Sequence, residues 1–116
     1  MGVEVNVRFK PRARADAAAR SATEYVEIAT VVAALRSAQR LPGERFGVVD
    51  DRWDIYVCDV PGTKLVMIIV CDPATPQDVV VARLWPDGNL TPRVKEAMAR
   101  EAAAALGLIN PQIFVY

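Results

Sequence analysis

Apolar and polar residues alternate at the start of the chain, Val3, Val5, Val7 and Phe9 on one side and Glu4, Asn6, Arg8 and Lys10 on the other. A period of two predicts a half-buried strand with one wet face. Pro11 ends that strand and suits the first turn of a helix. The alanine-rich run Arg12–Arg20 then reads as a short helix. Ser21-Ala-Thr-Glu24 fits a capping box, in which hydroxyl and carboxylate satisfy reciprocal backbone N–H groups. Ile28, Val31, Val32, Leu35 and Ala38 follow at helical spacing, with Glu24, Glu27, Arg36 and Arg40 outside that set. The β-branched cluster Tyr25–Val32 also permits a strand, and residues 12–40 are open to one helix or two. Leu41-Pro42-Gly43 is a stop signal.

From Glu44 to Pro86 the pattern turns to β-branched and aromatic residues cut by turns. Arg45–Asp50, Trp53–Val60, Lys64–Asp72 and Asp78–Leu84 read as four successive strands. Val60-Pro61-Gly62-Thr63 has proline where φ near −65° is wanted and glycine where φ must be positive, the signature of a type II turn. With Val60 and Thr63 flanking it, Trp53 is expected to face Val70, Ile55 to face Ile68, Val57 to face Val66 and Asp59 to face Lys64. Asp54, Tyr56 and Cys58 then share the other face with Ile69, Met67 and Leu65. The run Leu65–Val70 is apolar on both faces and predicts a central strand covered on each side. A two-proline loop from Asp72 to Gln77 leads into the fourth strand, and Trp85-Pro-Asp-Gly88 reads as a turn after it.

Thr91-Pro92 opens a last helix with a cap residue and a proline at its first position. Val94, Ala97, Met98, Ala102 and Ala105 form its apolar stripe, Glu96 and Arg100 an i,i+4 pair, and Gly107 its C-terminal cap. The tail Gln112–Tyr116 is apolar, and fits either a strand added along a sheet edge or a segment that docks on another subunit. The expected fold is therefore one α+β domain over residues 1–116. Its twisted antiparallel sheet, an N-terminal strand plus a four-strand meander, packs against helices and carries a C-terminal helix.

A chain of 116 residues buries roughly two-thirds of its unfolded surface. Its hydrophobic fraction of 53% and charged fraction of 24% belong to a globular protein. Net charge is zero, which removes any global case for nucleic acid or an anionic membrane. The charge is unevenly placed. Residues 8–20 hold Arg8, Lys10, Arg12, Arg14 and Arg20 against Asp16, a balance of +4. Residues 44–87 hold eight acids against Arg45, Arg52, Lys64 and Arg83, a balance of −4. Such a split fits two solvated faces, or a surface oriented toward an acidic partner or toward self-association.

No run approaches the ~18 apolar residues of a membrane span, and no apolar leader segment opens the chain. In the expected register Cys58 and Cys71 lie too far apart to bridge, which points to reduced thiols in a cytoplasmic protein. With no histidine anywhere, Ser-His, Cys-His and His-metal sites are excluded. The six glycines are scattered and form no phosphate-cradling loop. Asp50, Asp51 and Asp54 read as a solvated turn rather than a cation cluster, so neither a metal nor another cofactor is expected. Trp53 and Trp85 read as core or interface anchors. Arg8, Lys10, Arg12, Arg14, Arg52 and Arg83 are the candidates for gripping phosphate or carboxylate, and Trp85, Ile113, Phe114 and Tyr116 those for an interface.

Between Arg8 and Asp72 the chain resembles the RelE/ParE toxin superfamily. The resemblance rests on Arg8-Phe-Lys-Pro-Arg-Ala-Arg-Ala-Asp16, a strand end running into a basic, alanine-containing helix with an early aspartate. Ala33-Ala-Leu35 and Leu41-Pro42 match the end of the family's second helix, and the three strands between Arg45 and Asp72 match its meander. The family's arginine three residues before the tyrosine of the second meander strand is replaced here by Trp53, with Arg52 one step out of phase. The chain also lacks the basic surplus of ribonuclease-type members. The resemblance thus implies a toxin module that binds a macromolecular target without nuclease activity, held in check by an antitoxin-like protein. The other reading of the same residues is a non-enzymatic interaction or assembly protein of a phage or mobile element. It would use the apolar tail and a sheet face, with itself or another protein as partner.

Overall fold

The structure, a computed structural model, describes residues 6–19, 28–37, 53–72, 78–86, 90–108 and 110–116. The expected strand over Arg45–Asp50, the capping box at Ser21, the stop at Leu41-Pro42-Gly43, the loop residues 73–77 and Arg52 lie outside them. In chain order the elements are β1 (Asn6–Phe9), α1 (Pro11–Ala19), α2 (Ile28–Ser37), β2 (Asp54–Asp59), β3 (Leu65–Cys71), β4 (Asp78–Pro86), α3 (Pro92–Ala105) and β5 (Gln112–Val115). Within residues 12–40 the described segments α1 and α2 are both helical, and over residues 28–32 the helical reading holds over the strand one. Residues 20–27, on which the choice between one helix and two turns, lie outside the described residues.

The strands form one five-stranded sheet in the order β1-β4-β3-β2-β5. Only its middle is antiparallel. β2 pairs β3 and β3 pairs β4 antiparallel, but β1 joins β4 and β5 joins β2 in parallel. The expectation of an all-antiparallel sheet is therefore wrong, and the helices explain why. A helix between two strands of a sheet carries the chain back to the end it left, so the strands it links point the same way. Helices lie between β1 and β2 and again between β4 and β5. Only β3 runs against the other four.

The central hairpin forms about the proline–glycine corner, with Gly62 at φ 75 and the Thr63 N–H donating to the Val60 carbonyl at 3.1 Å. Its register differs from expectation by two residues. Ile55 faces Val70, Val57 faces Ile68 and Asp59 faces Val66, because Thr63 and Lys64 belong to the loop. The Thr63 hydroxyl donates to the Val60 carbonyl at 2.8 Å and accepts from the Leu65 N–H at 3.0 Å, which fixes that longer loop. A slip of two leaves every side chain on its expected face, as a slip of one would not.

α1 and α2 cover one side, face one, where Ala13, Ala17, Val31 and Ala34 pack with Tyr56, Met67, Ile69 and Val81. α3 covers the other, face two, where Ala99, Ala102 and Ala103 meet Ile55, Val57, Ile68 and Val70. β3 lies between the layers and is buried along its whole length. α3 packs over β2 and β5. A helix is about 10 Å across, whereas five strands span about 19 Å, so one helix covers only about half of face two. The half over β4 and β1 lies beside it.

α3 begins where expected, with the Thr91 hydroxyl accepting from the Val94 N–H at 3.3 Å. It ends at Gly107, φ 74, where the Gly107 and Leu108 N–H groups donate to the Ala104 and Ala103 carbonyls. Its buried residues are Lys95, Ala99, Ala102 and Ala103. Of the expected set Val94, Ala97, Met98, Ala102 and Ala105, Ala102 is buried and Met98 packs half-buried against the core, while Val94, Ala97 and Ala105 are exposed. Val94 is 42% exposed. Lys95 makes the difference: its apolar stem belongs to the core while its ammonium finds partners at the edge.

Candidate functional site

β1 pairs with β4 only as far as Val81, and the Lys10 N–H adds one more bond to the Val81 carbonyl. Beyond that point α1 lies against β4. A bulge falls here. Ile68 faces Arg83 and Ile69 faces Val81, leaving Ala82 as the extra residue. The bulge resets the alternation, so Val79 and Val81 point into face one, Ala82 into face two and Leu84 into face one again. It also presents the Leu84 N–H outward, and Asp16 of α1 accepts it at 3.2 Å.

Asp16 is buried and holds Arg83 bidentately, with Nε at 2.7 Å from one carboxylate oxygen and Nη2 at 3.2 Å from the other. The Arg12 Nε stands 3.9 Å away. The Arg83 guanidinium lies over the Trp85 ring, 4.9 Å from its centre. Arg83 and Trp85, candidates for target and partner contact, are therefore set into an ion pair and a cation–π stack that fasten α1 to β4. Trp85 and Pro86 also continue β4 rather than starting the turn expected there.

Arg8, Lys10, Arg12 and Arg14 are exposed. Because Val7 and Phe9 pack into the face-one core, the alternation of β1 sends Arg8 to face two. Arg14 lies over the Phe9 ring at 5.4 Å. The remaining candidates are at the opposite edge of the sheet. Phe114 stacks on Tyr56 at 5.0 Å with Tyr116 beyond it at 6.4 Å, while Ile113 packs into the face-two core. The tail is a sheet-edge strand, and two of the three residues proposed there for an interface are half-buried within the chain itself.

Sequence reasoning missed Lys95. Its Nζ donates to Asp59 Oδ1 and to the main-chain oxygen of Tyr116, both at 3.1 Å, joining α3 to β2 and to the end of β5. A lysine one residue out of an apolar stripe is the only signal the sequence carried for it. Asp54, expected at a solvated turn, is buried and accepts from the Tyr56 hydroxyl at 3.4 Å. Cys58 and Cys71 are free and buried, opposite Met67 and Asp54 respectively. Burial pushes the Cys58 thiol up to about 12, with Cys71 and Asp59 adding to the rise and Lys95 opposing it. A thiol so held is no nucleophile near neutral pH.

Two adjoining cavities open on face two, of about 240 Å³ and about 320 Å³, and Arg12, Arg83 and Glu101 line both. No group of three acidic or cysteine side chains among the described residues is placed to hold a metal ion, and no described helix is long and apolar enough to cross a membrane. No family model, curated protein or solved structure matches the chain.

Proposed function

We propose that this chain is a binding protein, a RelE/ParE-like toxin module that holds a macromolecular target through Arg8, Lys10, Arg12 and Arg14 and cleaves nothing. One observation carries the reading. The four cations stand exposed along β1 and the start of α1, and the only acid in that stretch, Asp16, is already taken by Arg83. Their charge is left for a partner rich in phosphate or carboxylate. Arg83 is not part of that surface, since its guanidinium is spent inside the fold.

Induced expression tests the reading. Growth arrest is expected, relieved by co-expression of the neighbouring small open reading frame and lost when Arg8, Lys10, Arg12 and Arg14 are all changed to glutamate. Purified protein is expected to leave RNA intact. Absence of arrest, or arrest that survives the charge reversal in a folded protein, sinks it. A second reading, self-assembly, is favoured by β5 at a sheet edge beside Tyr116, which is 42% exposed. It requires an oligomer that dissociates when residues 112–116 are removed.

A further inference from the structure

Among the described residues α3 is the helix over face two, and the two cavities lie beside it. Small side chains make the hollow: Ala82 at the bulge, and Ala102 and Ala105 on α3, with Leu106 closing the end. Ile68, Trp85 and Met98 continue the apolar lining into the adjoining cavity. Together the two reach the size range of small-molecule sites, about 300–1,000 Å³. Lys10 and Arg12, both exposed, stand at the rim of the first.

We propose that this cleft binds a small organic anion, a monocarboxylate on an apolar body. The charges set the class. Arg83 and Asp16 neutralise one another within the fold, leaving Lys10 and Arg12 against Glu101, a local surplus of one positive charge. A singly charged carboxylate between the Lys10 ammonium and the Arg12 guanidinium matches it, and the alanine floor takes the hydrocarbon. Ala82, on face two like Val80, gives the site its depth, because its short side chain leaves a gap that a longer residue would fill. This site does not depend on the toxin reading. It shares Lys10 and Arg12 with the basic surface, but Arg8 and Arg14 line neither cavity.

Calorimetry on the whole chain with octanoate tests it, with octanol, octylamine and inorganic phosphate as comparisons. Octanoate is expected to bind saturably, and octanol and octylamine at least about tenfold more weakly, the cost of one lost charge-assisted contact. Phosphate alone is expected not to bind. Ala105→Leu, a change at an exposed helix position, is expected to weaken octanoate roughly tenfold by displacing two or so buried methylenes. Arg12→Glu is expected to abolish binding. Equal affinity for octanol and octanoate overturns the proposal, as does no saturable binding, or octanoate binding unchanged in a folded Ala105→Leu or Arg12→Glu protein. The two functional readings fail separately. Arg8→Glu/Arg14→Glu is expected to lose the macromolecular target and keep octanoate, whereas Ala105→Leu is expected to do the reverse.

Discussion

Asp16 shows how much one side chain settles. It receives Arg83, approaches Arg12 and caps the outward N–H of Leu84, joining a helix to a strand sixty-odd positions away. Both Asp16 and Arg83 are largely out of water, with side chains 7% and 17% exposed. Asp16→Ala leaves a guanidinium without its counter-ion and an N–H without its acceptor, an expected loss of about 3 kcal/mol in urea unfolding. Asp16→Ala/Arg83→Met is expected to recover much of that. Additive single effects would mean the pair is not coupled. Cys58 makes a second prediction. Its folded-state pKa of about 12 exceeds the ordinary 9.0, so the fold holds a proton that the unfolded chain gives up first. The stabilisation is whole below pH 9.0 and is lost as pH climbs toward about 12. Stability is therefore expected to fall more steeply between about pH 9 and about pH 12 in the natural protein than in Cys58→Ala.

Among the elements, α3 shows most clearly what sequence carries. Its start and end were legible because Thr91, Pro92 and Gly107 each have one local reason to be there. Gly107→Ala tests the last of these. An added Cβ meets nothing within 4 Å, so the expected cost is the left-handed backbone alone, about 1 kcal/mol and a few degrees in Tm. The face each residue of β2 and β3 takes was equally legible, because alternation survives a two-residue error. The register was not, since nothing short-range says whether Thr63 belongs to a strand or a loop. Strand direction was within reach: the helices between β1 and β2 and between β4 and β5 already imply that each linked pair points the same way, although neither pair lies side by side in the sheet. The stripe of α3 was misread for a subtler reason, a lysine whose stem behaves as hydrocarbon. Of the candidate site, the exposed cations were legible. The Asp16–Arg83 pair and the cleft were not: the pair depends on a one-residue bulge that no composition announces, and the cleft on side chains that only the fold brings together.

At the scale of the molecule, zero net charge conceals a basic margin along β1 and α1. A target held there should dissociate steeply as salt rises, by an amount that shrinks with each cation removed. Arg14→Ala is expected to weaken binding and flatten that dependence while changing stability by no more than about 1 kcal/mol, since Arg14 gives up only a contact over Phe9. The thermal melt and a salt titration of binding check the two halves of the statement independently.

The placement of β1 has a consequence for how the chain reaches this state. Asn6 bonds the Asp78 side chain, 72 positions along, and the whole of β1 lies against β4. On a ribosome β1 emerges before its partner and must wait until β4 is made. The β2–β3 hairpin needs only a short loop to close and is complete at Cys71, before β4 begins at Asp78. Pulse-labelled hydrogen exchange should therefore show β2 and β3 amides protected first and β1 last. A circular permutant that begins at β2 and appends β1 after a linker should shorten that wait without altering the finished sheet.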